Sequence, residues 1–180
     1  MSLPLNPCPH LQSLFALFPP ESYLRDFEIV PAEQVPQPYH GLLVHEHHMT
    51  VTVEAHHGCS VDVKVLEKKH EGDSYARQIL LSRQRDGRIV QFGLVRIWLH
   101  HCSDAVRAEI VAEKTPLGRI LIQHNVLRRI EPTQYLRVTP GTDMMRWFEL
   151  AAPAPAYGRA AIIHCDGQPA IELLEIVTPE

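Results

Sequence analysis

The chain has 180 residues, of which 45% are hydrophobic and 21% are charged, and these proportions are typical of one soluble globular domain with its own core. The formal net charge of −4 argues against a nucleic-acid partner, because a nucleic-acid binder presents a basic face. No apolar run approaches the roughly 20 residues that a helix needs to cross a bilayer, so the sequence predicts no membrane partner.

Cysteine usage indicates the cellular compartment. Cys8, Cys59, Cys102 and Cys165 are far apart, with neither the paired spacing of a zinc site nor the density of a disulfide framework. We therefore expect free thiols in a reducing compartment. The N-terminal residues lack the basic region and clean apolar run of a signal peptide, so the sequence predicts a cytoplasmic protein.

The N-terminal segment, residues 1–40, is rich in proline. One short helix is predicted within it over Leu11–Phe18, where apolar side chains share a face, and Pro19-Pro20 ends that helix. The rest of the segment is expected to be an extended wrap over a single domain formed by residues 41–180.

Two helices should open that domain. A short one is predicted over Tyr39–His47. Thr50 is a suitable N-cap for a second helix that runs to His57, and Gly58 is its expected C-terminal stop.

From Ser60 the apolar residues recur with a period of two, which indicates strands. Three strands are predicted, over 61–66, 75–82 and 89–99. A polar turn at 67–73 and a strong hairpin signal at Asp86-Gly87 separate them. Gly93 within the third strand indicates a bulge or the close approach of another group.

The second half of the domain mixes helices and hairpins. Ser103 should cap a helix over 104–113, and Thr115-Pro116 should start another that reaches about His124. Further strands are predicted over 126–130, 135–138, 157–164 and 170–177. Because the strands form hairpins and the helices lie in separate blocks, we predict an α+β fold, an antiparallel sheet of about six strands with helices packed on one side.

The most distinctive stretch is Glu113–Arg119, which reads Glu-Lys-Thr-Pro-Leu-Gly-Arg. A helix that starts at Pro116 puts Leu117 and Gly118 in its first turn, where free N–H groups and the positive end of the helix dipole favour an anion. Two interpretations follow. The stretch is either an anion-binding corner or a plain helix–helix corner with Leu117 packed inward.

The twelve histidines raise the question of a metal site. His45, His47, His48, His56 and His57 are close in sequence, but metal ligands must converge on one face. Spacings of one and two residues around a helix scatter the rings instead, so no metal ion is expected. The chain also lacks a Gly-x-Ser-x-Gly nucleophile motif and a glycine-rich phosphate loop.

Two charged residues, Arg77 and Glu175, interrupt otherwise apolar strands. With a period of two, Glu175 shares the more apolar face of its strand with Leu173 and Val177, whereas Glu172 lies on the other face, and the choice between the two carboxylates stays open. A buried carboxylate needs a partner or a raised pKa, and Arg77 is a candidate partner. The pair is either structural or a site where Arg77 binds a substrate carboxylate and Glu175 moves a proton.

The stretch Lys114-Thr-Pro-Leu-Gly-Arg119 resembles the central motif of the chorismate lyase family. Other motifs follow the order found in that family: Met49-Thr50 at a helix start, Arg77 before Ile79-Leu80-Leu81, the hairpin Asp86-Gly87, the strand glycine Gly93, and Tyr157-Gly-Arg159 before Gly167-Gln-Pro169. The resemblance covers about residues 42–178.

The resemblance implies a chorismate lyase-like fold with an internal ligand cavity. By position, Arg77 would bind the ring carboxylate of the ligand and Glu175 would be the acid/base group, although the family's glutamate falls one residue earlier, at Leu174. Met49, Gly93 and Leu117 would line the pocket.

The family also has a second arginine directly after the strand glycine. This chain has Leu94 there, and Arg96, two residues further on, is the candidate replacement.

The implied activity is that of a chorismate pyruvate-lyase, which eliminates pyruvate from chorismate and leaves 4-hydroxybenzoate or a related hydroxybenzoate. Aromatisation drives this reaction, so orientation and one assisted proton transfer suffice, and no cofactor is required. The alternative is a non-catalytic protein of the same fold that binds a small aromatic or hydroxy acid. Both interpretations predict a small-molecule partner with a carboxylate on an aromatic or cyclohexadiene ring.

Overall fold

The computed structural model describes residues 6–180 and has a seven-stranded antiparallel sheet at its centre. The strands are β1 (Leu24–Val30), β2 (Val61–Glu71), β3 (Ser74–Arg83), β4 (Ile89–Trp98), β5 (Arg128–Pro140), β6 (Ala156–Cys165) and β7 (Gln168–Val177). Their spatial order is β1-β5-β6-β7-β4-β3-β2. Two three-stranded meanders therefore meet where β4 pairs with β7.

Six α-helices accompany this sheet in residues 6–180. They are α1 (Pro9–Leu17), α2 (Tyr39–Leu43), α3 (Met49–His57), α4 (Asp104–Ala112), α5 (Leu117–Gln123) and α6 (Thr142–Trp147). The α+β class with an antiparallel sheet is confirmed. No helix in the described part of the chain is long and apolar enough to cross a membrane.

The helices cover both faces of the sheet. Helices α2 to α5 pack on the face that carries Arg77 and Glu175, which we call the cavity face. Helices α1 and α6 pack on the opposite face, where Leu11 and Met144 are fully buried in one apolar cluster with strand residues such as Leu174. The structure thus differs in detail from the expected six strands with helices on one side, because the N-terminal segment supplies β1 and α1, and α6 also packs on the opposite face.

The N-terminal segment contains strand β1, which the sequence analysis took for part of an extended wrap. Only the first and last residues of this strand, Leu24 and Val30, are buried. The strand therefore shows little alternation of buried and exposed side chains. The strand forms by pairing with β5 more than 100 residues away. The division of the chain at residue 40 stays a prediction.

Three other boundaries differ from the sequence analysis. Strand β2 continues through the predicted turn to Glu71, because its polar second half is an exposed sheet edge that pairs with β3. The two strands predicted over 126–130 and 135–138 are one strand with a bulge between Pro132 and Gln134. Helix α6 was not predicted.

The helix starts shift by a residue or two. His48 and Pro116, rather than Thr50 and Thr115, are the N-caps of α3 and α5. The predicted caps at the other positions hold: Ser103 accepts a hydrogen bond from the Val106 N–H, and Gly58 ends α3 with a left-handed φ of 65°.

Candidate functional site

A cavity lies between the cavity face and the first turns of α3 and α5. Its volume is about 50 Å³, several times the ~10–15 Å³ that one buried water needs and far below the roughly 300 Å³ of a drug-sized site. The space suits a small molecule and is too small for a nucleotide coenzyme.

The register of the central strands brings the polar residues of the cavity together. Ile79 on β3, Gly93 on β4 and Glu175 on β7 lie in one row across the sheet, and Arg77 lies one step along, level with Val95. Gly93 lets the Ile79 side chain pack over its Cα, because a Cβ there would come within 3.1 Å of that side chain.

The structure brings five of the six candidate site residues to this cavity. Met49, Arg77, Gly93, Leu117 and Glu175 all line it.

Arg96 does not reach the cavity. It belongs to the alternate set of β4 side chains and therefore points to the opposite face. There its guanidinium pairs with Glu172 at 2.5 Å and lies 5.0 Å from the centre of the Trp98 ring. Arg96 therefore does not replace the family's second arginine in this cavity.

Of the two glutamates that the sequence analysis left open, Glu175 faces the cavity. Glu172 is the partner of Arg96 on the opposite face. The proposed pairing of Glu175 with Arg77 is wrong. Strand β4 separates β3 from β7, whereas Arg159 on β6 lies directly opposite Glu175. Its Nη2 and Nε atoms donate to Glu175 Oε2 at 2.8 and 3.2 Å.

All the N–H donors of the Arg159 guanidinium are hydrogen-bonded within the protein. Besides the two bonds to Glu175, its Nη1 donates to the His45 carbonyl at 2.9 Å and to His45 Nδ1 at 3.4 Å, and its Nη2 donates to the His47 carbonyl at 3.3 Å. These bonds use the full donor set of a guanidinium. Burial nevertheless raises the pKa of Glu175 above its ordinary value, against the opposing effect of Arg159.

Arg77 is as deeply buried as Arg159, with 1% of its surface exposed, but it is poorly satisfied. Its hydrogen bond to the protein is a long one, from Nη1 to the Ile110 carbonyl at 3.4 Å, and its Nε has no partner in the described part of the chain. Burial lowers the pKa of Arg77, and the charge and hydrogen bond of the Tyr75 phenol and the charge of Glu113 oppose that shift. The phenol of Tyr75 donates to Glu113 Oε1 at 2.6 Å, so the nearest carboxylate is held by another group.

Gln91 is a polar cavity residue that sequence reasoning missed. It is 4% exposed, and its Oε1 has no hydrogen-bond donor among residues 6–180. It lies on β4 two residues before Gly93, on the same face. The signal was present in the sequence, because a glutamine in Ile-Val-Gln-Phe-Gly interrupts an apolar strand as Arg77 does. The same test would have marked Arg159.

The Glu113–Arg119 corner covers the cavity. Leu117 lines it, as the inward-packing interpretation expected. Gly118 packs tightly on α3, because a Cβ there would lie 2.9 Å from Thr50 Oγ1, and Arg119 pairs with Glu54 of α3. The charge that faces the cavity near this corner is that of Arg77.

The histidines beside the cavity are neutral bases. Burial, reinforced by Arg128, lowers the pKa of His48 to about 4, and Arg128 Nε donates to its Nε2 at 2.6 Å. Burial and Arg159 lower the pKa of His45 to about 4 as well. Among residues 6–180, no three His, Cys, Asp or Glu side chains converge to hold a metal ion.

No family model and no curated protein sequence matches this chain. Among solved structures, the chain is similar to a gene product from Staphylococcus aureus subsp. aureus N315, with 10% identity over 66% of this chain and 82% of that one and a TM-score of 0.48.

Two further solved structures are similar at a comparable level. PhnF from Mycobacterium smegmatis is 11% identical, with 71% of this chain and 62% of that chain covered and a TM-score of 0.48. The possible transcriptional regulator YydK from Bacillus subtilis subsp. subtilis str. 168 is 13% identical, with 66% and 57% covered and a TM-score of 0.45. The chain thus spans less than two thirds of the length of these two proteins. Likeness this remote assigns no function to this chain.

Proposed function

We propose that this protein binds a small organic acid with a single carboxylate, and that Arg77 is the anchor for that carboxylate. The observation that carries the proposal is the guanidinium of Arg77, which is 1% exposed, faces the cavity and has an Nε without a partner in the described chain. A buried cation without adequate hydrogen bonds is costly. A carboxylate ligand would supply charge-assisted bonds to it.

The charge of the site favours one carboxylate rather than two. Arg77 is the uncommitted cation of the cavity, since the donors of Arg159 are used by Glu175, His45 and His47. Glu175 would repel a second anionic group placed beside it. The ligand class we infer is therefore a monoanion with an apolar body, in keeping with walls such as Ile79, Val95 and Leu173.

Gln91 favours a hydroxyl on that body. Its unsatisfied Oε1 is an acceptor, and a ligand hydroxyl is a matching donor. Arg77 is level with Val95, four residues from Gln91 along β4, which separates the two positions by about 13 Å at ~3.3 Å per residue. The side chains of Arg77 and Gln91 cover part of this distance. A ligand that carries its carboxylate and its hydroxyl at opposite ends of one ring would cover the remainder.

Isothermal titration calorimetry with 4-hydroxybenzoate tests the proposal. Wild-type protein should bind, and Arg77→Met should weaken binding about 100-fold, or ~2.7 kcal/mol, because the carboxylate loses its charged donor. Arg96→Met is the matched control, since Arg96 is a paired arginine on the opposite face, and it should bind like wild type. Equal affinity of wild type and Arg77→Met would overturn the proposal.

The second candidate function is a chorismate lyase-type reaction. One observation favours it: Glu175 lines the cavity and its pKa is raised by burial, so it is suited to proton transfer. One observation counts against the reaction. Chorismate carries two carboxylates, and among residues 6–180 Arg77 is the one cation of the cavity that is free to pair with a carboxylate, so the second carboxylate would have no cationic partner.

Incubation with chorismate separates the two functions. Equal amounts of pyruvate and a hydroxybenzoate would establish the lyase reaction. Binding of 4-hydroxybenzoate without turnover of chorismate would favour the binding protein.

A further inference from the structure

A buried tyrosine lies between the cavity arginine and the nearest carboxylate. Tyr75 and Arg77 are each 1% exposed, and they are two residues apart on β3, so their side chains share the cavity face. The phenol of Tyr75 donates to Glu113 Oε1 at 2.6 Å, and a hydrogen bond between Tyr75 and Arg77 supports the charge of the guanidinium. Tyr75 is thus in contact with both a cation and an anion.

The direction of these hydrogen bonds follows from the groups involved. A phenol has one proton, and the Glu113 carboxylate takes it. Toward Arg77 the phenol oxygen is therefore an acceptor, and the guanidinium is the donor. Arg77 receives a neutral acceptor from Tyr75, and this acceptor brings no compensating negative charge.

The Glu113 carboxylate is held on the solvent side of Tyr75. Its side chain keeps 21% of its surface exposed and pairs with Lys68 Nζ at 2.9 Å. Glu113 is also the C-cap of α4, with a left-handed φ of 59° and an N–H that donates to the Ile110 carbonyl. The hydrogen bond from Tyr75 is the main cause that lowers the pKa of Glu113, so this carboxylate is ionised at pH 7.

Arg159 shows what a carboxylate in direct contact does to a buried arginine of the same face. Glu175 Oε2 accepts from Arg159 Nη2 and Nε at 2.8 and 3.2 Å, and this pair leaves no charge for a ligand. If Glu113 moved past Tyr75 and paired with Arg77, it would neutralise the second buried arginine in the same way.

We propose that Tyr75 is a positioning residue of the ligand site, which keeps the Glu113 carboxylate away from Arg77 and so leaves the charge of Arg77 available to a ligand carboxylate. The inference rests on the proposed function and adds to it a residue that does not line the cavity. Tyrosine suits this role because a phenol donates to a carboxylate and accepts from a guanidinium at the same time, which phenylalanine cannot do.

Calorimetric titration of 4-hydroxybenzoate into wild type and variants tests this role. Tyr75→Phe should weaken binding about tenfold, because Glu113 loses its phenol donor and pairs with Arg77 in place of the ligand. Tyr75→Phe combined with Glu113→Gln should recover at least the wild-type affinity, because the competing carboxylate is gone. Glu113→Gln alone should tighten binding by up to about threefold, since it removes a negative charge near Arg77.

Tyr23→Phe is the matched control. Tyr23 is also 1% exposed, but it lies on the opposite face, where its phenol donates to the Phe18 carbonyl, and its variant should bind like wild type. Unchanged or tighter binding by Tyr75→Phe would overturn the proposal. So would a loss that Glu113→Gln does not reverse, because such a loss would come from altered packing of the ring.

Urea denaturation without ligand tests the separation of Glu113 from Arg77 independently of the proposed function. In the Tyr75→Phe background a buried pair of Arg77 with Glu113 should form, so adding Glu113→Gln should raise the equilibrium constant of unfolding about tenfold. In wild type the same substitution should raise it less than about threefold, because it removes a half-exposed pair with Lys68.

The two experiments separate the possible failures. Equal effects of Glu113→Gln in the two backgrounds would show that Glu113 does not reach Arg77 when the phenol is removed, and would overturn the proposal. A tenfold effect in the Tyr75→Phe background, together with no binding of 4-hydroxybenzoate by wild type, would uphold the separation of Glu113 from Arg77 and overturn the proposed function instead.

Discussion

Two arginines on one face of the sheet have the same burial and opposite surroundings. Arg77 and Arg159 are each 1% exposed. Arg159 donates to one carboxylate, two carbonyls and an imidazole, whereas Arg77 has a long bond to a carbonyl, the phenol of Tyr75 beside it and an orphaned Nε. The difference shows that burial of a charge does not identify a binding site. The unused donors of Arg77 are the reason why we propose it, and not Arg159, as the anchor of a ligand.

Among the substitutions that test this comparison, we expect the largest loss of stability at Arg159. Arg159→Met should lower the free energy of unfolding at pH 7 by about 3–5 kcal/mol, because it leaves Glu175 buried without its partner. Urea denaturation measures this loss. The loss should be smaller at pH 5, where the orphaned carboxyl takes up a proton more readily. A loss below about 1 kcal/mol at pH 7 would mean that Arg159 is no more structural than Arg77.

A smaller effect is expected at Gln91, and it depends on the ligand. Gln91→Leu should weaken binding of 4-hydroxybenzoate about tenfold, or ~1.4 kcal/mol, because the ligand hydroxyl loses its acceptor. Binding of benzoate, which lacks the hydroxyl, should not weaken. Calorimetric titration of both acids into both proteins gives the answer, and equal losses for the two acids would remove Gln91 from hydroxyl recognition.

The smallest effect concerns the pH dependence of stability. The pKa of Glu175 is raised in the folded state, so the folded state holds this proton more tightly than the unfolded state does. The resulting stabilisation is full below about pH 4.5, the ordinary pKa of a glutamate, and is lost as pH rises through the folded-state pKa.

Glu175→Gln should remove this dependence from the free energy of unfolding measured between pH 4 and 8. Glu172→Gln, which removes the arginine-paired carboxylate of the opposite face, is the matched control and should keep it. An unchanged dependence in Glu175→Gln would show that another group is responsible.

The alternation of strand residues was enough to place part of this site from the sequence. It put Arg77 and Glu175 on one buried face, because side chains two residues apart share a face in any strand. It could not supply the partner of Glu175, since partners depend on which strands are neighbours. Arg159 and Glu175 pair across adjacent strands, whereas β4 lies between Arg77 and Glu175.

Long-range pairing also explains the parts of the fold that were missed. Strand β1 has little apolar alternation of its own and forms by pairing with β5. Arg96 was misplaced for a different reason: it was chosen for its nearness to the family's arginine position, and its alternation with Gly93 puts it on the opposite face.

The most direct test of the account is the stability of Arg77→Met with and without ligand. Without ligand, this variant should lose less than about 1 kcal/mol of unfolding free energy or gain stability, because a poorly satisfied buried charge is replaced by an apolar side chain. At 100 times the wild-type Kd, 4-hydroxybenzoate should stabilise wild type by about 2.7 kcal/mol and Arg77→Met by less than 1 kcal/mol. A variant as destabilised as Arg159→Met, yet still stabilised by the ligand like wild type, would contradict the claim that Arg77 is kept free for a carboxylate.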